Sequence, residues 1–471
     1  MILLAHSNFI ALDQKQLAKM KPYSPLSTLL CAALLRDAGH VIGLFDATFA
    51  AGVEAFELTL NRLRPAAVAI MEDNFNFLTK MCTTVRRETA LTMIRMARTR
   101  GCRIAVNGPD ASDHAALYLA AGADAVLLGE GEMALHDLVE CWERGDGDAA
   151  AIPGLIIPGP DGPHHTAPRR SLQGLDALPQ PAWDLVDAAD YRAAWRQHHG
   201  ELSWNVATSR GCPYACNWCA KPSFGRRYTM RSPHDVVDEM ARLKREIAPD
   251  HLWFVDDIFG LDVEWVRTFA DAVQQRGARI PFTMQSRVNL MTDRAVAALA
   301  AAGAREVWLG VESGSQAIID RMDKGTTVEA ARTATRALKR HGIRACWFIQ
   351  LGYPSEQWED LIATRDLIRA EAPDEIGVSV AYPLPGTEFY DRVHAQLGPQ
   401  RNWKDTGELA MLFQGTFDTA LYREVRDILH REVESGVHDD GPWTRLAHRS
   451  ASLRSPAPSI LHMGNGLGAG A

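Results

Sequence analysis

Three cysteines stand within eight residues, Cys212-Pro-Tyr-Ala-Cys216-Asn-Trp-Cys219. As thiolates they could hold three irons of a 4Fe-4S cube and leave the fourth iron open, whereas an electron-transfer cluster takes four cysteines. A structural zinc is the other use for such thiols, but it needs a fourth ligand in tetrahedral array. The remaining cysteines, Cys31, Cys82, Cys102, Cys141 and Cys346, are scattered singly. With no fourth thiol at ligand spacing, the iron-sulfur site is the expectation. A second group of polar residues follows: Asp256-Asp257, Gln285-Ser286-Arg287, Glu312-Ser313 and Gln350, each closing an apolar run that reads as a strand. Gathered at one end of a sheet, with Arg210 and Tyr382-Pro-Leu-Pro-Gly386, they would face one cavity.

The spacing C-x3-C-x2-C, with an aromatic before the last cysteine, resembles the cluster motif of the radical S-adenosylmethionine (SAM) enzymes. The resemblance implies that the open iron binds SAM through its amino and carboxylate groups. One electron from the cluster would then cleave SAM to a 5'-deoxyadenosyl radical. Under this reading Asp256 and Asp257 meet the SAM ammonium, Arg287 forks onto its carboxylate, and Glu312, within Gly310-Val-Glu-Ser-Gly314, accepts from ribose hydroxyls. Gln285, Ser313 and Gln350 complete the SAM-binding set, and Trp218 shields the cluster or packs on adenine. A structural ion pair is the alternative for each charged residue; recurrence at successive strand ends favours a site.

The elements that must position these residues are legible as alternation. Over the first 140 residues, Ile2-Leu-Leu-Ala, Val41 to Phe45, Ala67 to Met71, Ile104-Ala-Val and Ala125-Val-Leu-Leu read as buried strands, separated by helical stretches such as Leu26 to Arg36 and Val85 to Thr99. Such alternation predicts a doubly wound, Rossmann-like parallel sheet whose ligand sits at the strand carboxyl ends. No G-x-G-x-x-G follows a strand, so a nicotinamide or flavin dinucleotide is not expected.

The stretch from Asn107-Gly-Pro-Asp through Gly129-Glu-Gly-Glu132 resembles the last strands of the cobalamin-binding domain that precedes many radical SAM cores, and the resemblance covers residues 1–145. It implies cobalamin contacts from Glu72, Asp73 and Asn74, from Asn107, Gly108 and Asp110, and from Gly129, Glu130 and Gly131. The segment Glu72 to Phe77 would floor the corrin or else pack its phenylalanines into the domain interface. D-x-H-x-x-G does not occur in this domain, which implies cobalt without a protein imidazole below it; His114 reads as a loop or cap residue.

Residues 146–200, broken by seven prolines between Pro153 and Pro181, read as a connector. From 201 to 395 strand and helix alternate six times, predicting a partial (β/α)6 barrel with its active face at the strand carboxyl ends. Residues 396–436 resemble the C-terminal extension of the subgroup that includes the anaerobic magnesium-protoporphyrin ester cyclase, notably Ala410 to Phe417 and the helical Leu421 to Glu434, and a helical extension is expected over 396–450. The glycine-rich end, 451–471, reads as a disordered tail.

The 471 residues carry a formal net charge of -8 with both signs interspersed, which speaks against a nucleic-acid surface. No apolar run approaches the roughly 20 residues needed to cross a bilayer. Eight cysteines in so long a chain make no disulfide framework, and reducing cytoplasm is the expected compartment. The whole implies a cytoplasmic radical SAM enzyme holding a 4Fe-4S cluster, SAM and cobalamin. It would act on a small molecule and take electrons from a donor such as a flavodoxin or ferredoxin. Methyl transfer is the first expectation, oxidative ring closure or hydroxylation the second, and a non-catalytic cobalamin sensor or scaffold the third.

Overall fold

The computed structural model describes residues 1–75, 83–145, 147–220, 223–398 and 409–453. Asn76 and Phe77 of the expected corrin floor, and the tail from 454 onward, lie outside them. Strands β1 (Ile2–Ala5), β2 (Ile42–Phe45), β3 (Ala67–Met71), β4 (Arg103–Asn107) and β5 (Ala125–Leu127) pair in parallel in the order β2-β1-β3-β4-β5. They are continuously apolar because helices cover both faces. Leu3, Ala5, Val68, Ile70, Ile104 and Val106 pack against helices Glu54–Leu63, Thr84–Arg98 and Ala115–Ala121. The alternate residues Ile2, Leu4, Ala69, Met71 and Ala105 lie under helices Leu26–Asp37 and Glu132–Arg144, where Cys31 and Cys141 serve as small apolar side chains.

The connector departs from expectation. Strand β6 (Leu155–Gly159) continues the same sheet antiparallel to β5, and β7 (Gly162–His165) pairs antiparallel with β6, so the sheet has 7 strands. Prolines do not forbid this, because Pro158 and Pro163 face each other beyond the residues that pair with β5, where no sheet neighbour calls for an N–H. A 12-residue helix, Ala188–His199, follows, with the Asp187 side chain accepting from Ala189 N.

A second sheet starts at β8 (Ser203–Val206). A short antiparallel ribbon, β9 (Ser209–Arg210) with β10 (Thr229–Met230), leads out of it, and then come β11 (His251–Phe254), β12 (Phe282–Ser286), β13 (Ala304–Glu312), β14 (Arg344–Leu351) and β15 (Glu375–Val380). These strands, the ribbon apart, are parallel neighbours in chain order, the arrangement of a partial barrel. Trp204, Leu252, Phe254, Phe282, Met284, Leu309 and Trp347 form the core beneath the outer helices. Those helices start where the sequence offers caps: Ser232, Asp262, Thr292 and Thr327 each accept from a backbone N–H of the first turn. Toward the other face, His251 bridges Ser203 (2.8 Å) and Thr283 (2.9 Å), and burial lowers its pKa to about 4, keeping it neutral.

The two sheets are tied directly. Ser24 donates to Asn205 Oδ1 at 2.6 Å and accepts from its Nδ2 through the carbonyl at 2.9 Å, while Trp195 donates to Pro22 O at 2.7 Å. Helices Thr419–Ser435 and Asp440–Leu453 close the far side, held by the Arg369 fork on Glu432 and by Trp443 Nε1 donating to Glu432 Oε1 at 2.9 Å.

Nearby Glu356 is fully buried and accepts from Gly352 N at 2.7 Å. Burial pushes its carboxyl up to about 8, against about 4.3 in an unfolded chain. Between those values the folded state holds the extra proton, so stability falls as pH rises through that window. The melting-temperature gain of Glu356→Gln over wild type should therefore grow between about pH 5 and pH 8. A pH-independent difference would refute the assignment.

Candidate functional site

The cysteine loop leaves the ribbon through Gly211, whose φ of 79° and neighbourhood both demand glycine: a Cβ there would lie 1.9 Å from Arg227 O. Asn217 then pegs the loop down. Its Nδ2 donates to Arg321 O and Asp323 Oδ2, both at 2.7 Å, its Oδ1 accepts from Tyr353 OH at 2.7 Å, and its backbone meets Met322 O and Phe389 N. Asn217 was not among the residues singled out from sequence; its place between two of the cysteines was the available signal. Cys216 is buried, Cys212 and Cys219 are half-buried, and the three are not disulfide-bonded.

Of the SAM candidates, the structure holds several in unexpected ways. Asp256 is fully buried; its Oδ1 accepts from Thr208 N (3.0 Å), Thr208 Oγ1 (2.8 Å) and Ser209 Oγ (2.5 Å), and burial raises the carboxyl to about 6. Its Oδ2 has no hydrogen-bond partner among the described residues, and neither has the buried Gln350 Oε1. Asp257 is half-buried beside it. Gln285 donates to Asp256 O at 2.7 Å. Glu312, with a left-handed φ of 68°, is paired at 2.5 Å with Lys324, both side chains buried. Lys324 was missed, being separated from Glu312 by a helix, Gln316–Arg321.

Three residues of this set meet protein groups. Gly314 gives close approach to a neighbouring helix, since a Cβ there would lie 2.3 Å from Ala363 O. Ser313 turns its hydroxyl to Thr364 Oγ1 (3.2 Å) and to Ser315 N (3.1 Å), fixing the turn. Arg287 spends its guanidinium on protein groups: Nη1 lies 3.5 Å from Cys216 Sγ, Nε donates to Asn289 Oδ1 at 3.2 Å, and Nη2 donates to Lys324 O.

Arg210 likewise turns away from the barrel. It pairs with Glu132 at 2.8 Å and Glu130 at 3.3 Å, and its guanidinium lies against the Phe75–Phe224 ring pair, 5.7 and 5.5 Å from the ring centres. Glu130, expected at cobalamin, is thus a partner of the residue two before Cys212.

In the N-terminal sheet the strand order reverses between β1 and β3, the place where doubly wound folds form a crevice. A cleft is present there, lined by His6, Asn8, Tyr23, Glu72, Asp73 and Arg86. Glu72 Oε1 accepts from Ser7 N at 3.1 Å, and burial lifts the Asp73 carboxyl to about 6. Arg86, missed from sequence, is buried, donates to Asn8 Oδ1 at 2.9 Å, and keeps Nη1 without a hydrogen-bond partner among the described residues. Asn74 and Asn107 form a separate chain: Asn74 Nδ2 donates to Asn107 Oδ1 at 2.7 Å, Asn107 donates to Leu127 O and Gly129 O, and Ser223 donates to Asn74 Oδ1 at 2.8 Å. Gly108 and Gly131 make room for that packing, since a Cβ on either would lie 2.7 Å from Glu72 or Asn107. Asp110 instead binds Arg87 through both oxygens and accepts from Tyr118 OH at 2.7 Å, with His114 3.9 Å away.

A third acidic group, Glu306, Cys346 and Glu375, brings its ligand atoms within 4.8 Å. Arg344 already bridges both carboxylates, at 2.8 and 3.4 Å, so the cluster is a closed ion network.

Residues 206–368 match the Radical SAM superfamily. An uncharacterized methyltransferase of Pyrococcus horikoshii is 30% identical over 60% of this chain and 60% of its own. The anaerobic magnesium-protoporphyrin IX monomethyl ester cyclase of Rubrivivax gelatinosus is 25% identical over 57% of this chain and 49% of its own. The chain thus spans 60% and 49% of the length of these two curated relatives. Among solved structures, the radical SAM methyltransferase TsrM of Kitasatospora setae, with cobalamin and a 4Fe-4S cluster bound, superposes with a TM-score of 0.69 at 21% identity, over 85% of this chain and 79% of its own. The match over residues 206–368 thus lies in a chain that shares the fold of that methyltransferase.

Proposed function

We propose that this chain is a cobalamin-dependent radical SAM enzyme of the reducing cytoplasm that methylates an unreactive carbon of a small molecule. The observation that carries the reading is the loop from Gly211 to Cys219: three free thiols in the C-x3-C-x2-C spacing, lying within the stretch that matches the radical SAM family. When bound, a 4Fe-4S cluster would supply one electron to SAM, and cobalamin would carry the methyl group. Cys212, Cys216 and Cys219 would hold three irons. The orphaned oxygens of Asp256 and Gln350, with Asp257 beside them, offer acceptors that a SAM ammonium would satisfy. Lys324, already held on Glu312, offers a cation near the same strand ends. The crevice between β1 and β3, with Glu72, Asp73 and the orphaned Arg86 Nη1, is the place for cobalamin. His114 stands on the Asp110 network, and His6, which lines the crevice, is held 3.0 Å from Asp46 Oδ1. The electron donor would be a small redox protein such as a flavodoxin or ferredoxin.

Oxidative ring closure is the second reading, favoured by the 25% identity to the porphyrin ester cyclase. A non-catalytic cobalamin sensor would have no use for an open iron. The deciding experiment is reconstitution without oxygen, followed by SAM and dithionite. The expected products are 5'-deoxyadenosine from protein holding about four irons per chain, with cobalamin retained on gel filtration. Intact cluster and SAM binding without 5'-deoxyadenosine would overturn the enzyme reading in favour of the sensor.

A further inference from the structure

We propose that Arg287 sets the reduction potential of the iron-sulfur cluster through the Cys216 sulfur, an inference that rests on the cluster reading above. Arg287 follows β12, is 5% exposed, and lies with its guanidinium 3.6 Å from the centre of the Tyr214 ring. Tyr214 and Cys216 belong to the same loop, so one side chain grips that loop twice: by stacking on the ring, and by Nη1 at 3.5 Å from the sulfur. The other two nitrogens are fixed by Asn289 Oδ1 and Lys324 O. Every one of these partners is neutral except Cys216 once it becomes a thiolate. A buried guanidinium needs a compensating negative charge, and a cation beside a cysteine favours its thiolate.

The physical consequence concerns electrons. Adding an electron makes the cluster more negative, and a hydrogen bond to a ligand sulfur from a fixed cation favours that state. Arg287 is therefore a positioning and tuning residue of the cluster, where the resemblance alone had implied a contact to the SAM carboxylate. The arrangement explains why a charge so close to the thiols lies on a strand end of the barrel and not within the cysteine motif.

The test is the midpoint potential of reconstituted protein, followed by EPR without SAM, in wild type, Arg287→Met and Tyr214→Leu. At a potential poised on the wild-type midpoint, Arg287→Met should show about a tenfold lower ratio of reduced to oxidised cluster, which for one electron is 59 mV. Tyr214→Leu, which leaves the cation but frees it to swing, should move the ratio in the same direction by less. Iron and sulfide are measured first in wild type, where absence of a cluster would sink the functional reading itself. With the wild-type cluster present, unchanged potentials in variants that hold full iron would overturn the inference, and a tenfold loss of SAM affinity alone would return Arg287 to SAM. Should Arg287→Met assemble no cluster, Tyr214→Leu decides by the same criterion. Loss of the cluster in both would also overturn it, assigning the pair to cluster retention.

Discussion

Alanine at Cys212, Cys216 and Cys219 is expected to leave a folded chain with no iron-sulfur absorption and no SAM cleavage. The loop does not depend on the thiols for its path. Gly211 sets its entry, Asn217 fastens its middle through side-chain and backbone bonds, and Arg287 lies on Tyr214. Only Cys216 is buried, so the triple variant removes one core sulfur and two half-exposed ones; a buried large-to-small change of that size costs on the order of 1–2 kcal/mol, too little to unfold a chain of this length. The loss of activity, by contrast, should be complete, since in the proposed reaction the electron reaches SAM through the cluster. Circular dichroism and melting would report the fold; iron, sulfide and 5'-deoxyadenosine would report the site. A full complement of iron in the triple variant would place the cluster elsewhere in the chain.

Much of this was legible because period and chemistry agreed. The parallel strands of both sheets could be read from apolar runs, and the strand-end rule pointed to the crevice between β1 and β3. What could not be read was direction. Ser209 and Arg210 are neighbours on a ribbon whose side chains alternate: Ser209 reaches Asp256, and Arg210 goes the opposite way to Glu132. Counting Arg210 among the barrel's polar residues ignored that alternation. Asp256 spends one oxygen on Thr208 and Ser209 for the same reason, being turned toward the chain that leaves β8. Lys324 and Arg86 were invisible because each meets its partners across a helix or a sheet and no short motif marks it. The connector was misread because prolines were counted without asking which sheet edge they would occupy. Gly314 carried a real constraint, but a glycine does not announce whether a ligand or a helix comes close.

The second large effect should come from Arg210. It is 4% exposed, Glu132 is 2% exposed, and together with Glu130 they join the loop after β5 to the strand that enters the cysteine motif. Burial already raises the Glu130 carboxyl, and Arg210 is the first influence holding it back. Arg210→Met should therefore leave the buried Glu132 and the half-buried Glu130 without their cation, at a cost of about 3–5 kcal/mol. The loss would be read as a lower urea midpoint. Adding Glu130→Gln and Glu132→Gln removes the stranded charges, so the triple variant should recover most of that stability; methionine against the Phe75–Phe224 ring pair keeps the packing of the stem. Cobalamin retention should track the urea midpoint across the series, because the same contact fixes the N-terminal sheet against the cysteine loop. If Arg210→Met unfolds like wild type, or the added glutamines give no recovery, the triad is not what couples the two halves, and the direct bonds between Ser24 and Asn205 carry that task instead.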